Sequence, residues 1–181
     1  MRFNFQTEQW LPYPSTLVFA FFANPENLPL LLPRWQRARI EQASFAAPPP
    51  RPEGTPRYAA TAAGAGSRIT ISFRSVPLIP IRLPWEALIE EFTWNEGFSD
   101  LQVRGPFKYW RHTHSIHPGP PSRNGQPGVT LRDEVAYELP LGPLSALANK
   151  LFMRHQLASI FRFRQRRTAE LLAAATKIHS L

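Results

Sequence analysis

The chain has 181 residues, a formal net charge of +8 and no cysteine. That length suits one domain, residues 1–181, with a real hydrophobic core. The lack of thiols removes disulfides, cysteine nucleophiles and cysteine metal sites. The opening Met1-Arg2-Phe3-Asn4-Phe5 has no signal-peptide run and no stretch approaches a membrane span, so a cytoplasmic location is expected.

Phe3 to Trp10 alternates, with Phe3, Phe5 and Thr7 on one side, which predicts a first strand. Pro12 and Pro14 end it. Ser15 is placed to cap a helix whose Leu17, Val18, Phe21 and Phe22 recur at helical spacing. Asn24-Pro25 stops that helix and starts a second short one, Pro25 to about Leu32, because Asn caps well and Pro fits the first helical position. Trp35 to Phe45 alternates around Ala38, Ile40 and Ala43 as a strand.

The prolines at 48, 49, 50 and 52 cannot pair inside a sheet, so residues 46–66 read as an exposed loop. Ser67 to Ser75 is a strand with Ile69, Ile71 and Phe73 facing one way, and Val76-Pro77 to Pro80 is a turn. Ile81 to Trp94 is a long strand carrying Trp85, Ala87 and Ile89 on one face. Asn95-Glu96-Gly97 signals a hairpin. Phe98 to Arg104 and Phe107 to Ile116 are strands joined at Gly105-Pro106. Residues 118–128 hold too many prolines and glycines for anything but a loop, and Val129 to Leu139 is the last strand.

Gly142 to His179 has no proline after Pro143 and is rich in good helix formers. Some 35 helical residues span about 50 Å. Its apolar residues occupy two faces: Leu144, Leu147 and Leu151 on one, and Met153, Leu157, Ile160, Phe161, Leu171 and Leu172 on another. Such a helix bends near Phe152 to Arg154 or is wrapped on more than one side. Hairpin-linked strands with terminal helices predict an α+β fold, an antiparallel meander of about six or seven strands curling round the long helix. A cavity of roughly 300 Å³ or more is expected between them.

Three stretches carry a resemblance. Leu11-Pro12-Tyr13-Pro14, Val18-Phe19 and Phe22-Ala23-Asn24-Pro25-Glu26-Asn27-Leu28 form the first. Gly105-Pro106-Phe107 with Trp110, His112 and His114 forms the second, and Asp133 to Gly142 the third. Together they are similar to the helix-grip fold of the START/Bet v 1-like (SRPBCC) superfamily, in its bacterial members, which includes polyketide cyclase/dehydrase-like proteins. The resemblance covers essentially the whole chain and implies a fold rather than a reaction. Similar domains occur fused to NAD-dependent epimerase-like domains. No nucleotide-binding glycine pattern is present, so such a partner would be a separate chain.

Side chains alternate along a strand, so Trp110, His112, His114 and Ile116 share one face, and Leu131, Asp133, Val135, Tyr137 and Leu139 share another. If Ile116 pairs with Val129, His112 lies opposite Asp133 and Trp110 opposite Val135. Two histidines and a carboxylate would then sit on an apolar wall. An imidazole oriented by Asp133 suits general acid/base chemistry. His112 and His114 with Asp133 also have the spacing of a metal ligand set. The third reading, which the residues favour, is a structural or ligand-contacting polar cluster, with no metal and no cofactor. Phe98, Asp100 and Gln102 share a face that could add polar contacts, against the alternative that a strand this near a turn simply bears solvated groups. Trp85 and Tyr137 read as wall packing, and His155 and Arg162 as helix residues that face the cavity or solvent.

The expected function is binding of a small hydrophobic ligand (lipid, polyketide or quinone-like) against Trp85, Phe98, Trp110, His112, His114, Asp133, Val135, Tyr137 and Phe161. The alternative is a polyketide cyclase/dehydrase-like enzyme using His112 or His114 with Asp133. A third reading is transient contact with an anionic membrane surface through Arg154, Arg162, Arg164, Arg166, Arg167 and Lys177, with Phe163 inserting. Specific nucleic-acid binding is not expected, because these arginines do not form one stripe: Arg162 and Arg167 are about 140° apart at 100° per residue.

Overall fold

Residues 1–56, 61–74, 80–121, 125 and 127–178 are described by the structure, a computed structural model. The expected turn at Val76-Pro77, parts of both long loops and the helix end at His179 lie outside the described residues. Seven strands form one antiparallel sheet: β1 (Phe3–Leu11), β2 (Arg39–Ser44), β3 (Arg68–Arg74), β4 (Arg82–Thr93), β5 (Gly97–Arg104), β6 (Tyr109–Gly119) and β7 (Gly128–Glu138). Their order is β1-β7-β6-β5-β4-β3-β2, a meander closed by β1 returning beside β7. Bulges at Ile40/Gln42 in β2, at Ile89/Glu91 in β4 and at Val103 in β5, opposite Glu86/Ala87, bend the sheet by adding a residue to one strand. This is the helix-grip arrangement, a curved sheet around a long C-terminal helix.

The helices after β1 follow their sequence signals with two corrections. Helix α1 spans Ser15–Ala23, but Ser15 is its first residue and makes no cap; the Pro14 carbonyl accepts from the amides of Leu17 and Val18 instead. The segment Pro25–Leu31 is a 3₁₀ helix, since Pro29 inside it has no N–H to donate to a regular α-helical ladder. Asn24 caps it as expected, its Oδ1 accepting from the Glu26 amide at 3.1 Å. The expected strand at Trp35 begins only at Arg39, because Arg34–Gln36 forms a 3₁₀ turn ended by Arg37 in a left-handed conformation. The loop from 46 is mostly exposed, yet Ala63 is buried and its amide donates to the Ala23 carbonyl, tying the loop to α1.

The C-terminal helix changes winding where its two apolar faces meet. A short helix α2 (Ser145–Ala148) leads into a π turn, Asn149–Met153, and then α3, Arg154–Ile178. The wider turn rotates the helix relative to its own sequence, so both apolar sets cannot face the sheet. Leu157, Phe161 and Leu172 are buried, whereas Leu144, Leu147, Leu151 and Phe152 are exposed. Tyr137 on β7 donates its hydroxyl to Asn149 Oδ1 at 2.6 Å and so pins the π turn to the sheet. Farther along, Gln165 donates to Thr7 Oγ1 and the Glu8 carbonyl at 3.0 Å, fixing α3 against β1.

The buried apolar residues fall in two groups. Val18, Phe19 and Phe22 of α1 pack on Ile116, Val129, Leu131 and Leu172. Trp110, Val135, Tyr137 and Leu139 pack under Leu157 and Phe161. His112 and His114 lie on β6 between these groups, so polar groups occupy the gap between two cores.

Candidate functional site

A cavity of about 560 Å³ opens between the sheet, α3 and the Pro25–Leu31 segment. One part of its wall is aromatic. Trp85 and Phe107 meet Trp110 with ring centres 5.1 and 4.8 Å away, tilted and edge-on rather than stacked. Ile69, Ile71, Ala87 and Ile89 continue this wall on β3 and β4, and Phe152, Leu157, Ile160 and Phe161 face it from the helix. The other part is polar: Asp100, His112, His114 and Arg164 all border the same cavity.

The polar groups form a ladder across three strands and α3. Asp100 on β5 pairs directly with His112 on β6, and its Oδ2 is 3.6 Å from His112 Nδ1. The opposite nitrogen of that ring, Nε2, lies 2.9 Å from Asp133 Oδ1 on β7. The same oxygen is 2.7 Å from His114 Nδ1. That second contact is short but off the line of a good hydrogen bond, so His112 is the better-aligned donor. Arg164 reaches in from α3, its Nη2 3.3 Å from His114 Nε2. A guanidinium only donates, so His114 accepts on Nε2 and carries its proton on Nδ1, toward Asp133.

Burial and charge push these groups apart. His114 is lowered from 6.5 to about 3, first by burial, then by the neighbouring His112 and Arg164, against the pull of Asp133. Burial works against ionisation of Asp133, but His114 beside it, the hydrogen bond from His112, the close approach of the His114 ring nitrogen and the Arg164 charge together outweigh it. Its carboxyl stays well below the usual range. Asp100 goes the other way: burial raises it, and His112 and Arg164 only partly offset this while Asp133 adds to it. The two carboxyls are therefore shifted in opposite directions, Asp133 down behind the wall and Asp100 up beside the cavity.

The register differs from expectation by two residues. Ile116 pairs with Leu131, His114 with Asp133, His112 with Val135 and Trp110 with Tyr137. The strands run on through Pro118 to a Gly119–Gly128 pair, which the residue pattern reads as loop. A shift of two leaves every side chain on its expected face, whereas a shift of one would have emptied the wall. His112 reaches Asp133 as a diagonal neighbour. Of the residues singled out from sequence, Trp85, Phe98, Trp110, His112, His114 and Phe161 border the cavity. Asp133, Val135 and Tyr137 do not; they are fully buried behind it.

Asp100, read as a weaker polar contact, and Arg164, read as one of the surface arginines, are undervalued by the sequence reading. Asp100 is legible once β5 is paired to β6 across the 95–97 hairpin, because it falls opposite His112. Arg164 stands three residues after Phe161 and seven after Leu157, on their face of the helix. Gln102 bridges its own turn instead, donating to the Phe107 carbonyl at 2.7 Å. His155 and Arg162 point to solvent. So do Arg154 and Arg166; Arg167 pairs with Glu170, and Phe163 is half-buried beneath Arg166, not free to insert. Asp100, His112 and His114 each offer one ligand atom within 4.8 Å of the others, a geometry that can hold a metal. A cation there would compete with the Arg164 guanidinium and with the ring protons shared with Asp133.

No protein-family model matches the chain, and no curated protein matches it by sequence. Solved structures match its fold. A protein of Thermus thermophilus, TTHA0849, is 17% identical over 93% of this chain and 98% of its own, with a TM-score of 0.60. Ara h 8.0201, a Bet v 1 allergen, is 11% identical over 96% and 99%, with a TM-score of 0.60. Protein CV1439 from Chromobacterium violaceum is 12% identical over 93% and 96%, with a TM-score of 0.62. At these identities the likeness is one of fold. Among the described residues, no helix is long and apolar enough to cross a membrane.

Proposed function

We propose that this chain, whose helix-grip fold is of the Bet v 1-like kind, takes up one small hydrophobic molecule in its cavity. The observation that carries this is the cavity itself: about 560 Å³, walled by aromatic and aliphatic side chains, with its charged and titratable groups gathered in one place. That pattern orients an amphipathic guest by one end and leaves the rest to apolar contact. Lipids, polyketides and quinone-like compounds have this form. Trp85, Trp110 and Phe161 would hold the apolar body, with Asp133, Val135 and Tyr137 supporting the wall from behind. Native mass spectrometry of protein purified from its own host tests this. A retained mass of a few hundred daltons is expected; a bare chain that also fails to take up N-phenyl-1-naphthylamine, a neutral apolar probe, contradicts it.

Proton transfer on such a guest is the second reading, favoured by the 2.9 Å contact of His112 Nε2 with Asp133. That contact orients the ring and leaves Nδ1 toward Asp100, beside the cavity, as an acid/base pair would require. Cyclisation or dehydration of a polyketide-like substrate would use it. His112→Gln should then abolish turnover of such a substrate while leaving its binding within a few-fold.

Exchange of a lipid guest with an anionic membrane would use the exposed Leu144, Leu147, Leu151 and Phe152 beside Lys150 and Arg154. Phe152 also borders the cavity, so this surface adjoins its mouth.

A further inference from the structure

Resting on the cavity reading, a more specific ligand class follows from Arg164. The residue is only 9% exposed, yet among the described residues it forms no ion pair. Its one hydrogen-bond partner is a neutral imidazole, His114 Nε2 at 3.3 Å, and its Nε is buried with no partner. A guanidinium has five N–H donors, and burying it without an acceptor is costly. The rings of Phe22 and Phe161 stand 5.6 and 5.8 Å from its central carbon, so the guanidinium lies beside two aromatic rings on the cavity wall. We propose that Arg164 is the anchor for a carboxylate head group, and that the cavity takes an apolar carboxylic acid whose tail lies along Trp85 and Trp110.

The test is competition against N-phenyl-1-naphthylamine by dodecanoate and by 1-dodecanol, which share a tail and differ in the head. Dodecanoate should bind at least tenfold tighter than dodecanol. Arg164→Gln should remove that preference and leave dodecanol within about twofold, with Arg164→Lys retaining part of it. Equal binding of the two compounds by the unaltered chain overturns the assignment while the cavity reading stands. So does equal weakening of both by Arg164→Gln. Failure of the neutral probe to bind at all overturns both.

Discussion

The aromatic and polar parts of the cavity share one strand, β6, where Trp110, His112 and His114 follow at alternate positions, yet they are held by different physics. The rings around Trp110 contribute area and dispersion, about 0.5–1.5 kcal/mol per pair beyond burial, and the loss of one leaves the others content. Each member of the ladder from Asp100 to Arg164 depends on the next, because removing one leaves a buried charge or donor unmatched. The aromatic part can reshape around a guest, whereas the polar part presents fixed donors in fixed places. One part sets how much apolar surface is gained, the other which head group fits.

Removing the hub of the ladder should have the largest effect. Asp133→Ala strips both imidazoles of their acceptor and Arg164 of its counter-charge, and should destabilise the fold by about 3–5 kcal/mol. Denaturant unfolding measures this, and a cost below about 1 kcal/mol would dissolve the distinction between the two parts. Trp110→Ala should cost less, about 2–3 kcal/mol, under the usual range for a buried tryptophan because the ring already borders open space. It should also widen the range of guests, where Asp133→Ala narrows it.

Acid should separate the parts further. His114 is held near 3 when folded and has a value of 6.5 when free, so the unfolded chain binds the proton first. Its contribution is fully present above 6.5 and is lost as pH falls toward 3, by about 1 kcal/mol between pH 6 and 5. Asp133, lowered when folded, adds its own loss as pH falls below the ordinary carboxylate value of 3.8. Asp100, raised when folded, opposes both, since the folded chain then holds the proton more tightly. His112 and Arg164 complete the set of groups facing His114. Stability followed by urea midpoints from pH 7 to 4 should thus slope downward. His114→Gln should flatten the slope and Asp100→Asn steepen it; an unchanged slope in both variants contradicts the ladder.

How far these parts were legible from sequence follows from the same contrast. Alternation alone placed Trp85, Trp110, His112 and His114 on one wall, because inward and outward positions on a strand differ in chemistry. Pairing is a longer-range property: Pro118 and Gly119 look like loop but close the β6–β7 ladder, so the register was off by two. Arg164 looked like one of many surface arginines, although its spacing from Leu157 and Phe161 marked it as inward. Asp100 looked solvated because its neighbours, His112 on β6, Asp133 on β7 and Arg164 on α3, come from elements that the pattern of its own strand does not contain.

The smallest effect is expected at the exposed helix face. Leu151→Gln and Phe152→Ser should change stability by less than about 0.5 kcal/mol, since neither side chain is buried. Both should reduce co-sedimentation with vesicles containing anionic lipid if this face meets membranes. Charge reversal at Arg166 and Arg167, away from the mouth, should matter less. The opposite ranking would return the contact to the arginine face of α3.

The most direct test of the cavity is a methyl-resolved NMR titration with N-phenyl-1-naphthylamine. Saturable shifts at one probe per chain should concentrate on Ile69, Ile71, Ile89, Leu157 and Ile160, whose side chains border the cavity. Shifts confined to Leu144, Leu147 and Leu151 on the exposed helix face, or none at all, would contradict internal binding.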